Sequence, residues 1–242
     1  MIEMGTIERH RAIITGASKG IGRAVAERLA DEGMTLALLA RSEAILADRV
    51  RDCENRGGKA RGWVCDVGDA TQVEQQFAAA IEWLGGVDLL LNNAGLGYFA
   101  RFDELQLAHF DEMLATNLRG CFLSAQAVVP RMKAQGSGLI VNISSIAGKY
   151  ASERGAGYCA SKFGLMAMSE CMGLDLRQFG IRVTAICPGS VNAPDFRRGR
   201  ITKIAPEEMI QASDIADAVV YLLRQPARIF IREMEVRVTK AG

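Results

Sequence analysis

Tyr158 and Lys162 are the two residues whose types and spacing point most directly to chemistry. They stand four positions apart, so on a helix both side chains lie on one face and reach the same small volume. A free tyrosine has a pKa near 10, and a neighbouring ammonium lowers such a pKa by stabilising the phenolate. Ser145, upstream of the pair, can hold a substrate oxygen while the tyrosine exchanges a proton. A partly buried tyrosine beside a surface lysine is the structural alternative.

A glycine-rich turn near the N-terminus indicates a phosphate-binding site. The apolar run Ala12–Thr15 leads into Gly16, Gly20 and Gly22, and a helical pattern follows. Glycines allow a tight turn and a close approach to a pyrophosphate, whose charge is met by the N–H groups at the start of the helix. The spacing G-x-x-x-G-x-G differs from the commoner G-x-G-x-x-G, so a purely structural turn remains an alternative.

The end of the second predicted strand bears on which dinucleotide would bind. An acidic residue here would hold a free ribose 2′-hydroxyl and repel a 2′-phosphate. The strand instead ends in Ala40, followed by Arg41 and Ser42. Arg41 offers a planar fork suited to phosphate, and Lys19 in the glycine turn can approach the same group. The pattern predicts NADP(H), with two ordinary exposed cations as the alternative.

Polar residues also follow the third and fourth predicted strands. Asp66 can accept a hydrogen bond from an adenine amino group, and the segment 92–95, Asn-Asn-Ala-Gly, occupies the equivalent place one strand later. Asp, Asn and Gly are also the residues that turns favour. By themselves, these two segments do not distinguish binding from turn formation.

These residues must be positioned by alternating strands and helices. Short, continuously apolar runs alternate with helix-length segments, which predicts βαβ units and a parallel sheet covered on both faces. The predicted fold is α/β and doubly wound, with one domain over residues 1–242 and a substrate loop near 189–212. The predicted strands are Ala12–Thr15, Thr35–Ala40, Ala60–Cys65, Asp88–Leu91, Gly138–Ile143, Arg182–Cys187 and Met234–Val238. The predicted helices include Gly22–Asp31, Ala44–Asn55, Ala70–Leu84, Phe110–Lys133 and Tyr158–Phe179.

Composition narrows the classes of partner. The 242 residues contain 29 Lys plus Arg against 28 Asp plus Glu, so no overall field favours nucleic acid or an anionic membrane. No signal peptide or membrane-spanning run is recognisable, which predicts a cytoplasmic protein. The six cysteines are scattered and only two histidines are present, so neither a metal site nor disulfides are expected.

Taken together, the motifs resemble those of the short-chain dehydrogenase/reductase family in its compact form, and in particular its 3-oxoacyl-carrier-protein reductase-like members. The resemblance extends over essentially the whole chain. It implies a Rossmann-type, mostly parallel seven-stranded sheet and hydride transfer between NADP(H) and a carbonyl or alcohol. The motifs that carry it are the segment 15–22, the segment 92–95, Ser145, the segment Tyr158–Lys162, and Pro188 with Gly189.

The resemblance also assigns roles to individual residues. Ser145 would polarise the carbonyl, Tyr158 would exchange the proton, and Lys162 would bind the nicotinamide ribose, while Asn117 would help hold a water that connects Lys162 to solvent. Predicted coenzyme contacts are Gly16, Ser18, Lys19, Gly20, Ile21, Gly22, Arg41, Ser42, Asp66, Val67, Asn93, Ala94, Gly95, Tyr158, Lys162, Pro188, Gly189 and Val191.

Two segments depart from the family pattern. Val191 is followed by Asn192 and Ala193, where the family usually has a threonine. The nicotinamide carboxamide would then be held by the backbone of Val191 or by Asn192. The C-terminal segment Ile231–Gly242 also lacks the glycine-rich ending common among the carrier-protein reductases, which weakens that closest analogy.

The physiological substrate stays open at this stage. Ketone reduction, including that of a carrier-linked 3-oxoacyl group, leads over an alcohol or sugar dehydrogenase working oxidatively and over a non-catalytic NADP(H)-sensing relative. A homotetramer or homodimer is expected from the resemblance. Leu96, Tyr98, Phe99, Ala147 and Tyr150 either line an apolar substrate pocket or pack beneath a lid. The cations Arg197, Arg198, Arg200 and Lys203 either guide an acidic partner or form a solvated face.

Overall fold

Seven parallel strands form one sheet in the order β3-β2-β1-β4-β5-β6-β7. The fold is known from a computed structural model, which describes residues 10–193 and 204–239. The doubly wound parallel sheet predicted from the sequence is confirmed. The strands are β1 (Arg11–Thr15), β2 (Thr35–Ala40), β3 (Lys59–Val64), β4 (Leu89–Asn92), β5 (Gly138–Ile143), β6 (Ile181–Pro188) and β7 (Glu233–Val236).

The helices cover both faces of this sheet. They are α1 (Gly20–Asp31), α2 (Glu43–Asn55), α3 (Ala70–Leu84), α4 (Leu107–Leu114), α5 (Gly120–Gln135), α6 (Ala156–Leu176) and α7 (Ala212–Leu223). The helical segment expected over Phe110–Lys133 forms, but a π-helical turn at Ala115–Arg119 divides it into α4 and α5. Helix α7 was not expected, although its apolar residues Ile215, Val219 and Leu222 are buried.

Two apolar layers hold the helices against the sheet. Consecutive strand residues point to opposite faces, so Ile13 belongs to one layer and Ile14 to the other. Leu29 of α1 and Val219 of α7 pack in the layer that contains Ile14. Phe77 of α3 is fully buried in the opposite layer. Burial of both faces explains why the central strands have continuously apolar sequences.

The strand order reverses between β1 and β4, which are neighbours in the sheet although two strands separate them in the chain. Chain connections leave this point in opposite directions, which opens a crevice at the carboxyl ends of the strands. The glycine turn follows β1 and the segment 93–95 follows β4, so both lie at that crevice. Of the described helices, none is both long and apolar enough to cross a membrane.

Candidate active site

A cavity of about 430 Å³ opens at the carboxyl ends of the strands. Nearly all of the candidate residues predicted from the sequence contribute to its wall, although they come from seven separate segments. Gly22 and Asn117 are the exceptions, and both contact residues of the wall. The predicted residues that line the cavity are Gly16, Ser18, Lys19, Gly20, Ile21, Arg41, Ser42, Asp66, Val67, Asn93, Ala94, Gly95, Ser145, Tyr158, Lys162, Pro188, Gly189 and Val191.

Two positions of the glycine turn accept only a residue without a side chain. Gly16 has a φ of +64°, and a Cβ there would lie 2.8 Å from the Cα of Ala94. A Cβ on Gly22 would lie 2.3 Å from the carbonyl oxygen of Gly16. These approaches are far closer than van der Waals contact, so the bare backbone is what lets the turn close against the start of α1. The result is a narrow concavity at a helix N-terminus, a shape and dipole that fit a pyrophosphate.

Hydrogen bonds hold the glycine turn in register with the end of β4. The side-chain amide of Asn93 donates to the carbonyl oxygens of Thr15 and Gly16 at 3.0 and 3.1 Å. The Thr15 hydroxyl accepts from the backbone N–H groups of Asn93 and Ala94 at 3.0 and 3.1 Å. The Asn93 side chain therefore supports the turn, and the predicted contact of Asn93 with a ribose stays a prediction.

Tyr158 and Lys162 lie one turn apart near the start of α6, and both side chains are buried. The Lys162 ammonium donates to the carbonyl oxygen of Ile143 at 2.8 Å and lies 5.9 Å from the centre of the Tyr158 ring. Burial lowers the pKa of Lys162, against a smaller opposing effect of the Cys121 and Cys187 thiols. An ammonium has three donors, so the bond to Ile143 leaves two N–H groups for hydroxyl oxygens in the cavity.

Ser145 follows β5 and faces the same cavity. Its Oγ accepts a hydrogen bond from the backbone N–H of Ala147 at 3.1 Å and so caps the short helical turn Ile146–Gly148. Because this bond uses a lone pair of the oxygen, the hydroxyl proton can still be donated to an oxygen in the cavity. The backbone therefore fixes Oγ and leaves the donor usable.

Asn117 lies in the π-helical turn and is fully buried. Its Oδ1 accepts from the backbone N–H of Leu96 at 2.9 Å, and its Nδ2 donates to the carbonyl oxygen of Leu96 at 2.9 Å and to the Ser161 hydroxyl at 3.0 Å. One side chain thus ties the cavity wall at Leu96 to helix α6 between Tyr158 and Lys162. The expectation that Asn117 helps hold a water stays a prediction.

Three charged side chains stand at the end of the cavity formed by β2 and β3. The Nη1 of Arg41 lies 4.0 Å from Oδ2 of Asp66 and 3.9 Å from Oε1 of Glu112. Asp66 also accepts a hydrogen bond from the backbone N–H of Gly68 at 2.9 Å. Glu112 belongs to the cavity wall but was missed in the sequence, because it is one polar residue on α4 with no motif around it.

The opposite end of the cavity is built from β6 and the segment that follows it. The N–H of Gly189 donates to the Val236 carbonyl at 2.8 Å, and Val191 pairs with Ile210 in an isolated bridge. The Asn192 amide donates to Gln211 at 3.2 Å, outside the cavity wall. This geometry favours the backbone of Val191 over the Asn192 side chain as the partner of a carboxamide.

The residues expected to form an apolar pocket divide into two groups. Leu96 and Tyr98 line the cavity, and Phe99 packs its ring 5.4 Å from the Tyr158 ring. Ala147 does not line the cavity, and the exposed Tyr150 packs against the Arg237 guanidinium at 4.8 Å. Of these five residues, only Leu96 and Tyr98 therefore follow the alternative in which they line the pocket. The cationic group Arg197, Arg198, Arg200 and Lys203 lies outside the described residues, as does the whole of the segment 194–203 of the predicted substrate loop.

Comparison with known proteins gives consistent matches over nearly the whole chain. The short chain dehydrogenase family model matches residues 10–203. A putative ketoacyl reductase of the granaticin polyketide synthase from Streptomyces violaceoruber is 35% identical, with 92% of this chain and 89% of the relative covered.

Two solved structures show what the same fold binds in other proteins. An alcohol dehydrogenase from Thermococcus sibiricus complexed with 5-hydroxy-NADP has a TM-score of 0.88 at 32% identity, covering 96% of this chain and 97% of its own. Carveol dehydrogenase from Mycobacterium avium in complex with NAD has a TM-score of 0.87 at 24% identity, covering 97% and 98%. The second likeness bears on the fold alone.

Proposed function

We propose that this chain, which belongs to the short-chain dehydrogenase family and is therefore an oxidoreductase, transfers a hydride between NADP(H) and a carbonyl or alcohol. The observation that carries the proposal is the single cavity lined by Ser145, Tyr158 and Lys162 together with the glycine turn. A hydroxyl donor, a phenol and a buried ammonium in one cavity are the groups that proton exchange with a carbonyl oxygen requires.

The residues at hand fit a nicotinamide coenzyme. The glycine turn offers a concavity for the pyrophosphate, and a Cβ on Gly16 or Gly22 would clash with protein atoms and prevent this turn from closing. The remaining Lys162 donors suit ribose hydroxyls, and Arg41 and Lys19 suit a 2′-phosphate. When bound, the nicotinamide supplies or accepts the hydride. The Asp66 carboxylate and the backbone of Val67 are the proposed adenine contacts.

In the direction of reduction, each side chain has a defined task in the proton transfer. Ser145 donates a hydrogen bond to the substrate carbonyl oxygen and fixes its position. Tyr158 gives that oxygen a proton as negative charge develops on it. The Lys162 ammonium stabilises the phenolate that remains, and Asn117 positions the wall beside them. Oxidation of an alcohol follows the same steps in reverse, with Tyr158 as the base.

The substrate class we favour is a ketone with an apolar neighbourhood, a 3-oxoacyl group among the candidates. Leu96 and Tyr98 in the cavity wall support this, as does the match to a putative ketoacyl reductase. An alcohol or sugar dehydrogenase working oxidatively is the second candidate, supported by the alcohol dehydrogenase neighbour. A non-catalytic sensor is disfavoured because Asn117, Ser145, Tyr158 and Lys162 are all present.

The decisive experiment is a panel of ketones, aldehydes and diketones with NADPH, followed by the loss of NADPH absorbance. We expect at least one ketone to be reduced with saturable kinetics. The reverse assay, with NADP+ and the matching alcohols, identifies the preferred direction. Coenzyme binding without turnover of any compound in either assay would favour the sensor.

Replacing Lys162 with Met should weaken catalysis and coenzyme binding together, since its ammonium has both tasks. A charge-assisted hydrogen bond contributes about 1.5–3 kcal/mol, so we expect each effect to reach about tenfold or more. Turnover and the dissociation constant of NADPH measure the two effects. Lys133→Met, which removes an exposed lysine on α5, is the control. Loss of turnover with unchanged binding would contradict the double role.

The same variant should change the pH dependence of stability. Burial lowers the pKa of Lys162 from its ordinary 10.5, so the folded chain binds this proton less tightly than the unfolded chain. The free energy of unfolding of the parent should therefore rise with pH between the lowered pKa and 10.5. Lys162→Met should lack this contribution. Urea unfolding of both coenzyme-free proteins at a series of pH values measures the difference.

We also expect a cytoplasmic homo-oligomer. The six cysteines are all free, as in a reducing compartment. The outer faces of α5 and α6 expose Phe122 and Phe163, which supports association through these two helices. Sedimentation of the purified protein measures the number of subunits.

A further inference from the structure

The carboxylate of Glu112 faces two partners at the rim of the cavity. Its Oε2 accepts a hydrogen bond from the Tyr98 hydroxyl at 2.7 Å, and its Oε1 lies 3.9 Å from Nη1 of Arg41. The Tyr98 ring is itself stacked on His109, with the ring centres 3.9 Å apart and the planes 13° apart. Glu112 is thus a negative charge held in place beside the one arginine in the cavity wall of the described chain.

Glu112 acts on Arg41 through charge rather than through a hydrogen bond. Hydrogen bonds from N–H to oxygen span about 2.7–3.2 Å, and the separation here is 3.9 Å. The Oδ2 atom of Asp66 lies at a similar distance, 4.0 Å, from Nη1 of Arg41. Two carboxylates therefore reduce the positive potential of Arg41 without fixing its orientation.

We propose that Glu112 is a specificity-determining residue that weakens the 2′-phosphate subsite at Arg41, an inference that rests on the coenzyme assignment made above. A phosphate bound at Arg41 brings further negative charge to a guanidinium that already faces two carboxylates. A ribose with a free 2′-hydroxyl meets no such repulsion. Glu112 consequently lowers the preference for the phosphorylated coenzyme below the value that Arg41 and Lys19 alone would give.

Of the two carboxylates, Glu112 can be neutralised without disturbing the adenine contact. Asp66 bonds the backbone of Gly68 and is the proposed partner of the adenine, so its replacement would change several interactions at once. Glu112→Gln keeps the shape of the side chain and an oxygen that can accept from the Tyr98 hydroxyl, and removes only the charge.

The test is binding of two adenosine nucleotides that lack the nicotinamide, so turnover plays no part in it. The dissociation constants of adenosine 5′-monophosphate and adenosine 2′,5′-bisphosphate are measured by titration calorimetry. The dissociation constant of the monophosphate divided by that of the bisphosphate is the ratio that reports the 2′-phosphate subsite, and a higher ratio means a stronger subsite. In Glu112→Gln we expect this ratio to rise about 1.5- to 5-fold, the range for partly exposed charge pairs. The rise should shrink at high salt because exposed charges are screened.

Asp111→Asn is the matched control. Asp111 is the preceding residue on α4, is exposed, and does not line the cavity, so its replacement changes the net charge equally but should leave the ratio unaltered. An unchanged ratio in Glu112→Gln, or an equal rise in Asp111→Asn, overturns the proposal. A lowered ratio also overturns it, because Glu112 would then be positioning Arg41.

Failure of the coenzyme assignment would give a different result from failure of the proposal for Glu112. In that case the parent would bind the two nucleotides equally and Arg41→Ala would not change their ratio. If Arg41→Ala does lower the ratio, the 2′-phosphate subsite at Arg41 is present, and an unchanged ratio in Glu112→Gln then counts against the role of Glu112 alone. The Arg41→Ala measurement therefore separates the two hypotheses.

Discussion

Replacing Tyr158 with Phe is expected to lower turnover at least about 100-fold while NADPH binding survives. The change removes only a hydroxyl, and general acid–base groups contribute about 10²- to 10⁴-fold to rate. The ring would still fill its buried place beside Phe99, so the shape of the cavity should persist. Initial rates with the best substrate of the carbonyl panel, together with calorimetric NADPH titration, measure the two properties.

Tyr221→Phe is the control for this substitution. Tyr221 lies on α7, is half-exposed and does not line the cavity, so both properties should match those of the parent. Near-normal turnover of Tyr158→Phe would remove Tyr158 from the mechanism. A parallel loss of NADPH binding would instead indicate a damaged site and leave the proton-transfer role of the phenol unsupported.

We expect the parent protein to prefer NADPH over NADH by about 100-fold in kcat/KM. Two charge-assisted hydrogen bonds, from Arg41 and Lys19, would contribute about 1.5–3 kcal/mol each, or about 10²- to 10⁴-fold in total. The Arg41 side chain is 66% exposed and faces two carboxylates. We therefore expect the lower end of this range.

The double variant Ala40→Asp with Arg41→Ala should lose or reverse this preference. The new carboxylate would repel a 2′-phosphate and accept a hydrogen bond from a free ribose hydroxyl. Arg51→Ala, which removes an exposed arginine from α2, should keep the coenzyme preference of the parent. Equal use of both coenzymes by the parent, or a double variant that still prefers NADPH, would show that the end of β2 does not select the coenzyme.

The fold was predictable where burial on both sides leaves an unbroken apolar run. The bounds of β2 and β5 agree with those expected from the sequence. The last strand was placed at Met234–Val238 but forms at Glu233–Val236, where every residue is only partly buried. At such an edge charged and apolar residues alternate in the sequence, so the apolar pattern no longer fixes where the strand begins and ends.

The site was predictable where a sequence motif fixes the position of a residue at the end of a strand. Asn93 and Gly16 are examples, because the turn that they form allows few other residues. Glu112 and Met209 contribute to the same wall, yet no local pattern marks them. They reach the cavity through the packing of elements that are distant in sequence, which periodicity alone does not report.

The π-helical turn between α4 and α5 makes the site sensitive to chain length. Such a turn is an α-helix that holds one additional residue, and one residue corresponds to about 100° of rotation. Deleting one residue of the segment Ala115–Arg119 would convert the turn to a regular α-helix, which keeps the phase of α4 relative to α5 but removes the wider turn that carries Asn117. Met113, which packs against Gly157 beside Tyr158, would keep its place. The hydrogen bonds that Asn117 makes to Leu96 and Ser161 depend on the wider turn, so the additional residue is itself part of the active-site geometry.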